Sequence, residues 1–200
     1  MSKLVIENNQ SIWKGHLKLD LATLHYEYDN GQKVGIKREI LKAPDSIVIL
    51  LYRSDNHNLI LTKQWRAPLL FQEINEPLIE ACAGNIDKKD LDIENQDHLK
   101  AAIRAAKREA EEETGWLVKK TDFLYALFSS PGISTERLYY FTAEVDEKIN
   151  EGGGVIEEGE DIEVVEMSLQ TAWNNVLNGK ITDAKTVLLL QHMISKNKSL

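Results

Sequence analysis

One stretch of helical periodicity, enclosed on both sides by strand-like segments, constrains the fold of this 200-residue chain more than any other feature. Between Asp97 and Thr114 the apolar residues recur at spacings of three, one, three and four, which places them on one helix face. They are Leu99, Ala102, Ile103, Ala106 and Ala110. Asp97 is suited to cap the start, and Gly115 stands where helices commonly end. The pattern predicts an amphipathic helix with one face against a sheet.

Segments rich in alternating or continuous apolar residues surround this helix and predict strands. Three fall near the N-terminus, at 11–21, 23–28 and 34–41, with a strong turn signal at Asp29-Asn30-Gly31. Six more lie at 46–52, 59–65, 78–83, 123–128, 139–145 and 162–167. Ser168 and Asp183 are suited to cap two helices near the C-terminus, and the polar stretch 85–96 predicts a loop.

These elements predict an α/β protein with two parts. Residues 1–43 are expected to form a small N-terminal antiparallel β-sheet, which we interpret as a dimerisation region, and Pro44 marks its end. Residues 44–200 are expected to form an α/β/α sandwich with a mixed sheet.

Composition excludes several classes of function. The longest apolar run, 47–52, is far shorter than the roughly 20 residues that span a bilayer, so no membrane association is expected. A single cysteine, Cys82, and the absence of a long apolar leader favour the cytoplasm. The net charge of −8 repels phosphate backbones, so nucleic acid is not an expected partner. A small anionic substrate would need metal ions or local basic residues to offset this charge.

Three glutamates gather beside the apolar face of the predicted helix. Glu109, Glu112 and Glu113 are neighbours on a helix surface, and we expect their carboxylates to be exposed. Such a cluster is usually a solvated acidic face. The alternative is a platform for hard cations such as Mg²⁺, which prefer oxygen ligands.

The string Arg108-Glu109-Ala110-Glu111-Glu112-Glu113-Thr114-Gly115-Trp116 resembles the second half of the Nudix box, R-E-(apolar)-x-E-E-x-G-(apolar). Ala83-Gly84, followed by a loop and the helix, resembles the first half. The departure is the loop length: Gly84 and Arg108 are 24 residues apart, which indicates an insertion. The loop glutamate of the motif is therefore unassigned; Asp92, Glu94 or Asp97 could replace it, or none of them does.

The resemblance continues over most of the chain. Matching segments are 78–84, 130–132, 135–136, 152–154, 160–164 and 183–190. Together they look like the GDP-mannose hydrolase branch of the Nudix superfamily, which is close to the ADP-ribose pyrophosphatases. The resemblance implies a Nudix sandwich, an intertwined homodimer, and Mg²⁺-dependent (or Mn²⁺-dependent) hydrolysis of a nucleoside diphosphate sugar. GDP-mannose is the first expected substrate, giving GMP and mannose 1-phosphate, and ADP-ribose is the alternative.

The same resemblance implies the metal site and its chemistry. Glu109 and Glu113 would be carboxylate ligands, and the backbone carbonyl of Ala83 a third ligand. Glu112 would either bind a further ion or pair with Arg108, which would orient the carboxylates.

The remaining expected site residues lie elsewhere in the chain. Glu160, on an acidic and mobile loop over 151–161, is expected to be the general base or a metal ligand, and Glu136 is its rival for the base. The resemblance also implies that three residues contributed by the partner subunit contact the nucleotide: Lys37, Arg38 and Glu39. The alternative is that they are solvated charges on an edge strand. Arg66 is expected to clamp a phosphate, and Lys185 is weighed between a substrate contact and a surface position.

Two other functions compete with the enzyme. A Nudix fold can sense a nucleotide sugar without cleaving it, but the three box glutamates are all present here. A structural dimer without a ligand would leave the acidic cluster unexplained. The sequence therefore favours the hydrolase.

Overall fold

The computed structural model describes residues 2–15, 17–155 and 159–197, which form two compact units. The first unit comprises Met1–Asp45 and Leu127–Leu138, and the second comprises Ser46–Ala126 and Tyr139–Leu200.

The first unit contains a three-stranded antiparallel sheet in the order β1 (Lys3–Lys14), β2 (Lys18–Glu27) and β3 (Lys33–Lys42). The predicted turn at Asp29-Asn30-Gly31 is confirmed, and Gly31 has a φ of +83°. The first two predicted strands were misplaced, because β1 already ends at Lys14 and pairs with β2 from Lys18 onward, whereas a break near residue 22 was expected. Two register shifts in β1 interrupt the alternation of side chains, which hid this strand from the sequence pattern.

The larger sheet is mixed and has seven strands. They are β4 (Ser46–Arg53), β5 (Leu59–Gln64), β6 (Leu78–Glu80), β7 (Cys82–Asn85), β8 (Asp122–Phe128), β9 (Arg137–Val145) and β10 (Glu163–Met167). The order is β10-β5-β4-β9-β8, with β6 paired to β5 and β7 paired to β4. The central strands β4 and β5 are apolar, and most of their residues are buried in the core.

Five helices accompany the strands in the part of the chain that the structure describes: α1 (Ala67–Leu70), α2 (Lys88–Ile93), α3 (His98–Thr114), α4 (Leu169–Leu177) and α5 (Ala184–Asn197). The predicted caps are confirmed, since the Asp97 side chain accepts from the backbone of Lys100 and Gly115 ends α3 with a φ of +75°. The predicted loop over 85–96 is wrong, because it contains α2. A reciprocal cap between Asp87 and Asp90 stabilises this helix, which is too short to show a periodic pattern. Within the described ranges, no helix is long and apolar enough to cross a membrane.

The apolar part of the buried face of α3 consists of alanine. Five alanines on this face are fully shielded from solvent: Ala101, Ala102, Ala105, Ala106 and Ala110. They pack against Ile47, Ile49 and Cys82 of the sheet. Of the predicted apolar positions, Leu99 is exposed and Ile103 only partly buried. Because alanine side chains are short, α3 packs close to β7. The last turns of the helix, which carry the glutamates, therefore lie next to the sheet.

Candidate active site

Glu109 and Glu113 lie on the buried side of α3, so the expectation that these carboxylates are exposed is wrong. Only 8% of Glu109 and 2% of Glu113 is exposed, whereas Glu112 is exposed as expected. Buried carboxylates without a partner are unfavourable. The solvated-face interpretation therefore fails for two of the three glutamates.

The carboxyl group of Glu109 occupies the space beside Gly84 on β7. A Cβ atom at Gly84 would overlap the Cδ and Oε1 atoms of Glu109. Only glycine allows this approach, and it also places Ala83 one residue from the contact. The two halves of the motif meet here despite the insertion between them.

Burial strongly perturbs both carboxyl groups. Desolvation is the main cause that raises the pKa of Glu109 to about 7, partly offset by Arg108. Desolvation also raises the pKa of Glu113 to about 8, helped by the charges of Glu109 and Glu160 and opposed by a hydrogen bond from Cys82. Ionisation of either carboxyl group is therefore unfavourable while the other is charged, unless a cation balances the two charges.

The described residues fit a divalent cation. The Oε2 atom of Glu113 is buried and has no hydrogen-bond partner within the described residues. Such an atom, close to a second buried carboxylate, forms an oxygen-only ligand set that suits a hard cation. Among those same residues, no three His, Cys, Asp or Glu side chains are already arranged as a metal site.

Arg108 connects the helix carboxylates to the inserted loop. Its Nη1 atom lies 2.8 Å from Glu109 Oε1 and 3.1 Å from Glu112 Oε2. Its Nη2 atom contacts Asp90 Oδ2 at 3.3 Å and Asp87 Oδ2 at 3.4 Å. These contacts agree with an orienting role for Arg108 and show Glu112 as its partner.

Asp90 is a buried carboxylate in contact with Arg108 that the sequence interpretation missed. It is 3% exposed and lies between Arg104 and Arg108. The three candidates for the loop carboxylate were Asp92, Glu94 and Asp97, but Asp97 caps α3 and Asp92 accepts from Gln96. The spacing of Asp87 and Asp90, which matches a helix cap, was the available signal.

A second group of charges surrounds Glu80 on β6. Arg66 Nε donates to Glu80 Oε1 at 2.7 Å, and Lys185 Nζ lies 3.5 Å from Glu80 Oε2. Lys185 also contacts Asp183 at 2.6 Å. The structure thus brings together Arg66 and Lys185, although they are far apart in sequence. Glu80 was not singled out, because nothing in its local sequence marks it.

Three consecutive glycines cover the C-terminal end of α3. The N–H groups of Gly153 and Gly154 donate to the carbonyls of Glu113 and Glu112, at 2.9 and 3.1 Å. All of Gly152, Gly153 and Gly154 have positive φ. These residues were expected to allow a loop to swing, but here they satisfy helix carbonyls that would otherwise lack partners.

Glu160 follows this glycine segment. Its Oε2 atom accepts from the backbone N–H of Val155 at 3.0 Å, and its charge contributes to the raised pKa values of Glu109 and Glu113. The carboxyl group of Glu160 is therefore near enough to those of Glu109 and Glu113 to interact with them electrostatically. Residues 156–158 of the predicted mobile loop lie outside the described residues.

The other candidates belong to the first unit. Lys37, Arg38 and Glu39 are exposed on β3, opposite Thr23, Ala22 and Leu21 of β2. Glu136 lies between β8 and β9, and its backbone N–H donates to Ser134 Oγ at 3.1 Å. Their roles at the site stay predictions.

Paired buried carboxylates on one helix, with Arg66 and Lys185 on other elements of an α/β fold, are a combination typical of hydrolases that act on metal-bound polyphosphates. The NUDIX domain matches residues 42–190, and the chain accordingly belongs to the Nudix family. The resemblance in the sequence is confirmed.

Curated relatives and a solved structure agree with this assignment. The chain is 40% identical over 167 residues to a GDP-mannose pyrophosphatase of Cronobacter sakazakii, covering 82% of this chain and 81% of the relative. It is 38% identical over 192 residues to a GDP-mannose pyrophosphatase of Yersinia pestis, covering 94% and 90%. The crystal structure of an ADP compounds hydrolase shares the fold, with a TM-score of 0.69, 18% identity, and coverage of 98% of this chain and 95% of that chain. The predicted fold class is confirmed.

Proposed function

We propose that this protein hydrolyses the diphosphate of a nucleoside diphosphate sugar, with GDP-mannose giving GMP and mannose 1-phosphate. The observation that carries the proposal is the buried pair of carboxylates, Glu109 and Glu113, in which Oε2 of Glu113 has no hydrogen-bond partner among the described residues. The names of relatives at 38% and 40% identity support GDP-mannose as the substrate.

Nudix hydrolases generally need a divalent metal ion. We propose Mg²⁺, with Mn²⁺ able to use the same oxygen ligands. Glu109, Glu113 and the carbonyl of Ala83 would hold it, and Glu112 and Glu160 are the further candidates. When bound, such an ion neutralises the diphosphate and acidifies a water molecule.

The other side chains bind the substrate, orient the carboxylates and transfer the proton. Arg66 and Lys185 bind the diphosphate, Arg108 orients the helix carboxylates, and Glu160 or Glu136 accepts the proton of the attacking water. Lys37, Arg38 and Glu39 contact the nucleotide from the partner subunit of a homodimer. This assignment also implies a cytoplasmic enzyme, with neither nucleic acid nor membrane as partner.

A substrate panel tests the proposal. The purified protein would be incubated with Mg²⁺ and with GDP-mannose, ADP-ribose, other nucleoside diphosphate sugars and dinucleotides, and the products would be separated by chromatography. GMP and mannose 1-phosphate are expected as the main products. Preferential cleavage of ADP-ribose would assign the alternative substrate, and binding without cleavage would indicate a sensor.

Removal of residues 1–41 is expected to weaken self-association and substrate binding together. The support is an apolar surface on β1, where Ile6 and Trp13 are each 65% exposed, because exposed patches of this kind commonly mark interfaces. Light scattering and KM for GDP-mannose would be measured. A full-length Ile6→Ser Trp13→Ser variant serves as the milder comparison. A truncated monomer with unchanged KM would contradict the dimer proposal.

Binding of Mg²⁺ at pH 7 is expected to release about one proton or more per chain. Burial raises the pKa values of Glu109 and Glu113 to about 7 and about 8, so both are substantially protonated near neutrality and must ionise to bind a cation. Apparent metal affinity should therefore rise between pH 6 and pH 8. Calorimetry in two buffers of different ionisation enthalpy measures the release, and a buffer-independent heat would contradict it.

A further inference from the structure

Glu80 is a buried acidic residue that the proposed chemistry does not use. It is 1% exposed, and each of its carboxylate oxygens faces a different cation, Oε1 toward Arg66 and Oε2 toward Lys185. Since both oxygens are engaged, Glu80 is not placed to act as a base or to bind a metal.

The backbone around Glu80 is held rigidly. Glu80 pairs with Thr62 across β5 and β6, and the Thr62 hydroxyl donates to the Glu80 carbonyl at 3.2 Å. The next N–H, of Ala81, donates to Thr186 Oγ1 at 2.7 Å. Thr186 also donates to Asp183, so the start of α5 is fixed to the same strand. These hydrogen bonds therefore fix the Glu80 carboxylate between the side chains of Arg66 and Lys185.

The two cations are less buried than the carboxylate that holds them. The exposed fractions are 39% for the Arg66 side chain, 27% for that of Lys185 and 2% for that of Glu80. Glu80 engages Arg66 through Nε, and among the described residues neither terminal Nη nitrogen of Arg66 has a partner. The side chains of Arg66 and Lys185 therefore keep N–H donors that are available to a ligand.

A purely stabilising role explains this arrangement poorly. Desolvation of buried ion pairs often offsets their attraction, so an apolar cluster would serve stability at least as well. The four charges of Arg66, Lys185, Glu80 and Asp183 also sum to zero. Attraction of an anion here consequently depends on where the cations are held rather than on an excess of positive charge.

We infer that Glu80 is a positioning residue, which fixes Arg66 and Lys185 as one clamp for the diphosphate of the substrate. This inference rests on the proposed function. It makes a prediction opposite to that of simple charge: removing the negative charge of Glu80 should weaken binding of the anionic substrate, although it makes the cluster more positive.

The test is Glu80→Gln in the full-length protein. KM for GDP-mannose is expected to rise about tenfold or more, with kcat changed far less, because the clamp binds ground and transition states alike. Calorimetric binding of GDP-mannose without metal should weaken in parallel. Glu166→Gln is the matched control, since Glu166 on β10 forms an exposed ion pair with Arg53 on β4. Its KM should be unchanged.

A double-mutant comparison separates positioning from a structural defect. In an Arg66→Ala Lys185→Ala background, Glu80→Gln should have little further effect on KM, because nothing remains to be positioned. If Glu80→Gln does not fold, Glu80→Asp replaces it: the charge is kept, but the shorter side chain cannot reach both cations, so KM should still rise.

Two results would overturn the inference alone: an active, folded Glu80→Gln enzyme whose KM is unchanged or lower, or fully additive effects in the double-mutant comparison. A wild-type protein that does not hydrolyse any nucleoside diphosphate sugar would instead reject the proposed function. The wild-type assay therefore distinguishes the two failures.

Discussion

Replacement of Glu113 by glutamine is expected to lower turnover by about 10³-fold or more, because a neutral amide cannot offset the charge of a bound cation. The side chain keeps its size, so the packing of α3 against β7 should survive. Turnover of GDP-mannose at saturating Mg²⁺ is the measurement. Glu111→Gln, on the same helix but outside the site, is the control and should stay close to wild type. Near-normal turnover in folded Glu113→Gln protein would remove Glu113 from the metal site.

The same substitution is expected to stabilise the metal-free protein at alkaline pH. Burial raises the folded-state pKa of Glu113 to about 8 from a usual 4.5, so the folded state retains this proton longer than the unfolded state. The stability gained from the proton is complete below pH 4.5 and is lost as the pH rises through about 8. Glutamine has no such proton to lose. When the pH is raised from 6 to 9 in EDTA, the Tm of the variant should therefore fall less than the Tm of wild type.

The second large effect is expected for Glu160. Glu160→Gln should lower kcat by about 10²–10⁴-fold, which is typical for loss of a general base. The structural support is the position of Glu160: a Cβ atom at Gly154 would overlap its Cβ and Oε2 atoms, and the Gly154 N–H donates to the Glu112 carbonyl at the end of α3. Steady-state kinetics with GDP-mannose at saturating Mg²⁺ is the measurement.

Glu136→Gln is the decisive comparison for the base. If Glu136→Gln alone loses turnover to this extent, then Glu136 is the base and Glu160 is not. Glu151→Gln is the matched control in the same segment as Glu160, since Glu151 forms an exposed pair with Lys148. This control should retain wild-type kcat.

The features of the site that depend on neighbouring residues in sequence could be predicted. Asp97 and Gly115 bound α3 because capping is a local interaction, and the spacing of Glu109, Glu112 and Glu113 follows from helix geometry. Their burial could not be predicted, because Gly84, which leaves space for Glu109, comes from a different element.

Long-range contacts account for what the sequence did not show. Glu80 and Lys185 are 105 residues apart and meet only because α5 begins beside β6. Asp90 acquires its role from a short helix within the insertion, where a pattern of polar residues looks like a loop. In both cases the residue type is ordinary, and its role depends on where the fold places it.

The alanine face of α3 limits how this protein could be engineered. Larger apolar residues at Ala101, Ala105 or Ala106 would overfill a fully buried interface, which ordinarily destabilises a protein. They would also push the helix away from β7, and Glu109 would then retreat from Gly84. Heat-resistant variants with full turnover should therefore be found by changing surfaces and loops remote from this helix, while selection for activity keeps its inner face small.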